Sequence, residues 1–297
     1  MAKSLLQPDV IARAQALGVK ARTVVEGLRV GDHKSPYKGF SVEFVQHREY
    51  VPGDDIRHID WKSYGRSERY TIKQYEQETN YIAHVLLDNS NSMRYGGGDT
   101  NKLEYAKLLA ASLSYLIIRQ RDSVGLRVFN TDWAAELPPS SQLGHINTIV
   151  HTLEATRAGE KTSIGPLLDQ VADRVGRRGI IVLISDCFDE VEPVLKGLRH
   201  LRFRGHEVIL FHVLHKDEVE FPLDGNIRFI GLEGFEELMT RPHLLQPAYL
   251  RVVGQYLEEM QRGCDGSGVD YVRLVTSRPL SAALGEYLVR RLQAGAR

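Results

Sequence analysis

From Tyr81 onward, short apolar runs alternate with longer segments of helical period, and few folds accommodate that rhythm. Strands are predicted over 81–87, 124–129, 180–185, 208–214, 227–230 and 271–275. Several of these are continuous apolar runs, the pattern of strands covered by helices on both faces. Helices are predicted between and after them, over 103–119, 146–155, 164–175, 191–203, 247–262 and 279–292. The order argues for an α/β fold of the Rossmann type, a doubly wound and mainly parallel sheet. Segment 133–137 follows its strand after only Asn130-Thr131-Asp132. That turn is too short for a parallel crossover, so the segment is predicted to be an antiparallel edge strand.

The part before Tyr81 reads differently. A helix is predicted over 9–28, with Asp9 as its N-cap after Pro8. Beyond Gly31, strand-like alternation over 40–44 and 70–75 flanks a turn at Pro52-Gly53-Asp54-Asp55. Two domains are expected: 1–79, a helix with a small strand-and-turn extension, and 80–297, the α/β domain.

Composition narrows the function. The 38 lysines and arginines are matched by 38 acids, so the formal net charge is zero. A nucleic-acid partner, which calls for basic excess, is not expected. The two cysteines, Cys187 and Cys264, form neither a disulfide framework nor a zinc site. No apolar stretch reaches the roughly 18 residues of a membrane span, and the N-terminus lacks a signal-peptide core. A soluble cytoplasmic protein without membrane insertion is expected.

The chemistry gathers where two strands end. Val85-Leu86-Leu87 runs into Asp88-Asn89-Ser90-Asn91-Ser92, a carboxylate followed by alternate hydroxyls. Likewise, 180–184 runs into Ser185-Asp186. In a doubly wound sheet of order 3-2-1-4-5-6, the first and fourth strands are neighbours across the switch point where ligands bind. Asp88 and Asp186 then face one crevice, and their repulsion is relieved by a divalent cation. Hard oxygen donors of this kind suit magnesium. Lys161-Thr162-Ser163, before the helix at Ile164, can add a further hydroxyl.

Asp88-x-Ser90-x-Ser92, then Thr162, then Asp186 resemble the three loops of the metal-ion-dependent adhesion site in von Willebrand factor A domains. The resemblance implies a von Willebrand factor A-like domain in which Ser90 and Ser92 coordinate Mg2+ directly. Thr162 joins them in many liganded forms, and Asp88 and Asp186 coordinate directly or through water. Mn2+ or Ca2+ can stand in for the magnesium. A remaining position accepts a carboxylate from a partner protein.

Upstream, Pro52, Gly53, Asp54, Asp55, Arg57, Ile59, Asp60 and Trp61 match a Pro-Gly-Asp-Asp-x-Arg-x-Ile-Asp-Trp string. That string resembles the signature of the bacterial domain-of-unknown-function family 58, where it precedes an A-type domain. Family resemblance implies an AAA+ ATPase partner of the MoxR type. Many members carry membrane helices ahead of this region, where here only the helix over 9–28 is predicted. The polar cluster from Arg48 to Arg66 reads as a structural clamp, its ion pairs supported by Tyr50 and Trp61. A docking surface, or a link that senses the metal site, is the alternative.

Binding is preferred to catalysis, so the chain is not expected to be an enzyme. The alternative is a metal-dependent phosphohydrolase using the same acidic crevice, with Lys161 or Lys102 stabilising the phosphoryl group. Gly96-Gly97-Gly98 lacks the Lys-Ser/Thr of a P-loop. No histidine is placed to activate Cys187, and His84 and His212 read as hydrogen-bonded core residues.

Overall fold

The computed structural model describes residues 42–51, 59–77, 81–159, 163–176, 178–231 and 238–295, which fall into two compact units. In the smaller, β1 (Val42–Glu49) pairs antiparallel with β2 (Thr71–Gln77), and α1 (Trp61–Ser67) lies between them in sequence. The Asp60 carboxylate accepts from the backbone N–H of Lys62 at 3.0 Å and of Ser63 at 3.1 Å. It thereby satisfies two donors that the first turn of α1 leaves open. Tyr64 and Tyr70 stack with ring centroids 4.5 Å apart, whereas Trp61, expected to support the ion pairs, is exposed. The predicted helix over 9–28 and the turn from Pro52 to Asp55 lie outside the described residues.

The larger unit opens with β3 (Ile82–Asp88), α2 (Lys102–Arg119), β4 (Ser123–Phe129), β5 (Trp133–Ser140), α3 (His145–Ala155) and α4 (Ile164–Arg174). It continues through β6 (Ile180–Ser185), α5 (Val191–Phe203), β7 (Glu207–Leu214) and α6 (Lys216–Glu220). A short ribbon, β8 (Ile227–Phe229) and β9 (Leu238–Thr240), precedes α7 (Pro242–Gly266), β10 (Asp270–Val275) and α8 (Leu280–Gly295). Six strands form one sheet in the order β10-β7-β6-β3-β4-β5. All neighbours in it are parallel except β4 and β5, so β5 is the antiparallel edge that the short turn demanded. The first and fourth strands of the sheet, β3 and β6, lie side by side as expected for a doubly wound, Rossmann-like arrangement.

Two expectations need correction. The 227–230 segment does not join the sheet. It pairs antiparallel with β9 instead, and β10 takes the outer place beside β7. The helix expected from Pro247 begins at Pro242 and carries Pro247 inside it. A proline at the first helical position has no needed N–H to lose. Pro247, one turn further on, removes one hydrogen bond, a local loss the 25-residue helix absorbs.

Alternation along β3 divides the core. Ala83, Val85 and Leu87 pack with Leu109 and Leu113 of α2 and Leu284 of α8. Leu86 packs on the other face with Leu168 and Val171 of α4, Leu198 of α5 and Met260 of α7. Each fully buried side chain of this size stabilises the fold by about 1.5–3 kcal/mol. A Cβ on Gly197 would lie 2.7 Å from the Leu168 Cβ, so glycine there lets α5 close onto α4. Among the described residues, no helix is long and apolar enough to cross a membrane.

Candidate metal centre

The register of the two central strands sets the site. Leu87 pairs with Ile184, which brings the next residue pair, Asp88 and Ser185, side by side. The Ser185 hydroxyl donates to Asp88 Oδ2 at 2.6 Å, and the Ser90 N–H donates to Asp88 Oδ1 at 2.8 Å. Ser90 Oγ and Ser92 Oγ lie 2.9 Å apart, and Ser92 Oγ donates to Asp186 Oδ1 at 3.2 Å. Asp88, Ser90, Ser92 and Asp186 thus form one chain of oxygens across the switch point. None is more than 6% exposed. Thr162 and Lys161 lie outside the described residues, and Ser163 is exposed just before α4.

Both loops are tied down from several sides. After β3 the chain enters a short 3-10 turn at Asn91–Arg94, with Met93 fully buried. Asn89 donates its backbone N–H to Phe129 C=O at 2.8 Å and its side-chain amide to Arg157 C=O at 2.8 Å. The second loop rests on His212 of β7, whose Nε2 donates to the Asp186 carbonyl at 2.8 Å. Its Nδ1 accepts from the Tyr271 hydroxyl at 2.8 Å, so both ring nitrogens of the neutral imidazole are used. Tyr256 of α7 donates to the Cys187 carbonyl. Cys187 itself sits at φ 49, a left-handed conformation that costs a non-glycine residue free energy. That strain persists because Tyr256, His212 and the Cys187 N–H bond to Ser185 Oγ at 2.8 Å hold the turn together.

Charge is concentrated here. Burial pushes the Asp88 carboxyl up to about 7, and the neighbouring Asp186 adds to the rise. Hydrogen bonds from Ser185 and Ser90 offset part of it. Lys102, at the start of α2, is 1% exposed and reaches Asp186 Oδ2 at 2.7 Å and Glu218 Oε1 at 2.6 Å. Burial alone would lower its pKa, but Asp186 and Glu218 outweigh that and hold the ammonium above its ordinary range. The sequence carries no local sign of this bridge, because its partners lie 84 and 116 residues away. Burial, with Asp186 and Asp88 nearby, raises the Cys187 thiol well above its usual value, which leaves it a poor nucleophile.

Among the described residues, no group of three or more His, Cys, Asp or Glu side chains is placed to hold a metal. The crevice instead offers two carboxylates and two serine hydroxyls, hard oxygens linked one to the next from Asp88 through Ser90 and Ser92 to Asp186. That chemistry fits magnesium or calcium and not a soft ion.

Residues 46–249 match the family described as "Protein of unknown function DUF58". The chain belongs to that family. The DUF58 span includes Asp88, Ser90, Ser92, Lys102, Asp186, His212 and Glu218, the residues that build the crevice. Over 291 residues the DUF58 protein is 24% identical to the uncharacterized proteins Mb1516 of Mycobacterium bovis and Rv1480 of Mycobacterium tuberculosis. Those alignments cover 96% of this chain and 90% of each relative. Among solved structures, an aerotolerance-related membrane protein from Bacteroides fragilis is similar at 22% identity and a TM-score of 0.47. The conserved hypothetical protein BatB from Bacteroides thetaiotaomicron is similar at 21% identity and a TM-score of 0.46. Each likeness covers 72% of this chain and 99% of the other.

Proposed function

We propose that this DUF58 protein is a metal-dependent protein–protein interaction module, with a von Willebrand factor A-like domain whose crevice captures an acidic side chain of a partner. The observation that carries the proposal is the meeting of Asp88, Ser90, Ser92 and Asp186 at the carboxyl ends of adjacent parallel strands. A bound divalent ion supplies a positive centre between these oxygens and a carboxylate from outside. The serines present neutral lone pairs, so they add no negative charge to that of Asp88 and Asp186, and an open position on the ion can take a carboxylate from outside. Thr162, by its place in the motif, is assigned to the same donor set. The module acts in the cytoplasm, and family resemblance makes a MoxR-type AAA+ ATPase the partner to try first.

Magnesium titration by calorimetry on the wild type and on Asp88→Ala tests the site. Saturable binding in the wild type that disappears in a folded variant supports it. Equal binding by both sinks it. Turnover of a phosphoester panel in magnesium would instead favour a phosphohydrolase using the same crevice.

A further inference from the structure

Among the described residues at the crevice, Lys102 carries a full charge that the proposed binding role leaves without a task. A lysine only 1% exposed is costly to bury, and its ammonium is tolerated because two carboxylates hold it. One of them, Asp186, is also a proposed metal ligand. The other, Glu218 of α6, is anchored in turn by its Oε2, which accepts from the His215 N–H at 2.6 Å. Around this pair, Tyr95 donates to Asp217 at 3.0 Å, and His215 Nε2 donates to the Thr100 hydroxyl at 3.2 Å. The start of α2, the turn after Ser92 and α6 are therefore one bonded assembly, with the Lys102 ammonium at its centre.

We propose that Lys102 is a built-in competing cation, which balances the crevice when no metal is bound and keeps the affinity for a divalent ion low until an external carboxylate arrives. The proposal rests on the metal-binding reading and assigns its regulation. The geometry supplies the reason. The ammonium lies 2.7 Å from Asp186 Oδ2, while Asp186 Oδ1 faces the Ser92 hydroxyl at 3.2 Å. One carboxylate therefore serves the lysine with one oxygen and the serine side of the crevice with the other. Any divalent ion beside Oδ1 meets a fixed positive charge across the same carboxylate. An incoming carboxylate adds the negative charge that the lysine has already drawn from Asp186, so ion and partner are held tightly only together.

The test is a magnesium titration by calorimetry on the full chain, comparing wild type, Lys102→Met, Lys102→Arg and Asp88→Ala. A unit charge and a divalent ion a few ångströms apart at an effective dielectric near 20 repel strongly enough to predict affinity tighter by about tenfold or more in Lys102→Met. Lys102→Arg keeps the charge and is expected to stay near the wild type. Thermal melts in a chelator are expected to show Lys102→Met less stable than the wild type, and magnesium is expected to raise its melting temperature more. If Lys102→Met does not fold, Lys102→Gln, which can still donate to one carboxylate, takes its place with the same expectation. Unchanged or weaker magnesium affinity in the charge-free variant overturns the competing role, while the metal site stands on the difference between wild type and Asp88→Ala. Binding seen only in the charge-free variants supports the competing role. Absence of binding in every protein overturns both readings.

Discussion

Leu86 and Leu87 on one side of a peptide bond and Asp88 on the other are equally hidden from water, at 1%, 0% and 0% exposure. The leucines are there because burial is favourable for them, and each fills one of the two core layers. Asp88 is there against its own preference. Hydrogen bonds from Ser185 and Ser90 compensate part of the lost hydration, while burial and the neighbouring Asp186 still raise its pKa. Equal burial thus has opposite signs along one strand. The body of β3 holds the fold together, and its end gives stability up for a concentrated, under-compensated charge.

The largest effect that would separate the two regions belongs to the leucines. Leu87→Ala is expected to cost about 2–5 kcal/mol in denaturant unfolding, yet to leave magnesium affinity unchanged in the folded fraction. A variant that folds well but no longer binds would show that the apolar body and the polar end are not separable.

His84, also on β3, sharpens the contrast because it is buried but hydrogen-bonded as a neutral ring. Arg127 donates to its Nδ1 at 3.1 Å. Burial first, and the Arg127 charge second, lower its pKa to about 4. Its folded pKa lies below its unfolded one, so its contribution to stability is complete above about pH 6.5 and is lost as pH falls towards 4. The loss amounts to roughly 3 kcal/mol at most, at 1.36 kcal/mol per pKa unit. Urea unfolding at pH 7 and pH 4.5 should show less acid sensitivity in His84→Gln than in the wild type. Identical sensitivity would remove His84 from the account.

The smallest effect is reserved for the crevice hydroxyls. Ser92→Ala is expected to change stability by only about 1–2 kcal/mol, for the loss of its hydroxyl bonds to Ser90 Oγ and Asp186 Oδ1. Asp186 keeps Lys102 on Oδ2 and the Phe188 N–H on Oδ1. Magnesium affinity should nevertheless fall measurably by calorimetry. A large loss of stability with unchanged affinity would make Ser92 a structural residue.

The parts of this fold that were legible are those in which local pattern and burial coincide. Runs such as 180–185 read as strands because both faces are covered, and the short turn at Asn130 could lead only to an antiparallel neighbour. The nearness of Asp88 and Asp186 followed from strand order alone. What escaped was set by distant partners or by weak local signals. The 227–230 segment looks apolar enough for the sheet, but β10 occupies the position beside β7. Pro247 resembles a helix start because proline is favoured at the first helical position, while Pro242 had already begun the helix. Lys102 stands out in the sequence only as a lysine that could stabilise a phosphoryl group, and nothing near it in sequence marks a buried ion pair. Only tertiary packing gives it Asp186 and Glu218.

The carbonyl supports beneath the crevice have a mechanical consequence. Asp186 is braced by His212 from the adjacent strand, and Cys187 by Tyr256 from α7, so neither residue hangs on a free loop. β3 is an interior strand, bonded along its length to β4 on one side and β6 on the other. A pull applied at its carboxyl end loads those two ladders lengthwise, in shear, and their hydrogen bonds must yield together. The same pull on an edge strand through its side would open one bond at a time. A load at the crevice is therefore shared by both strands that flank β3.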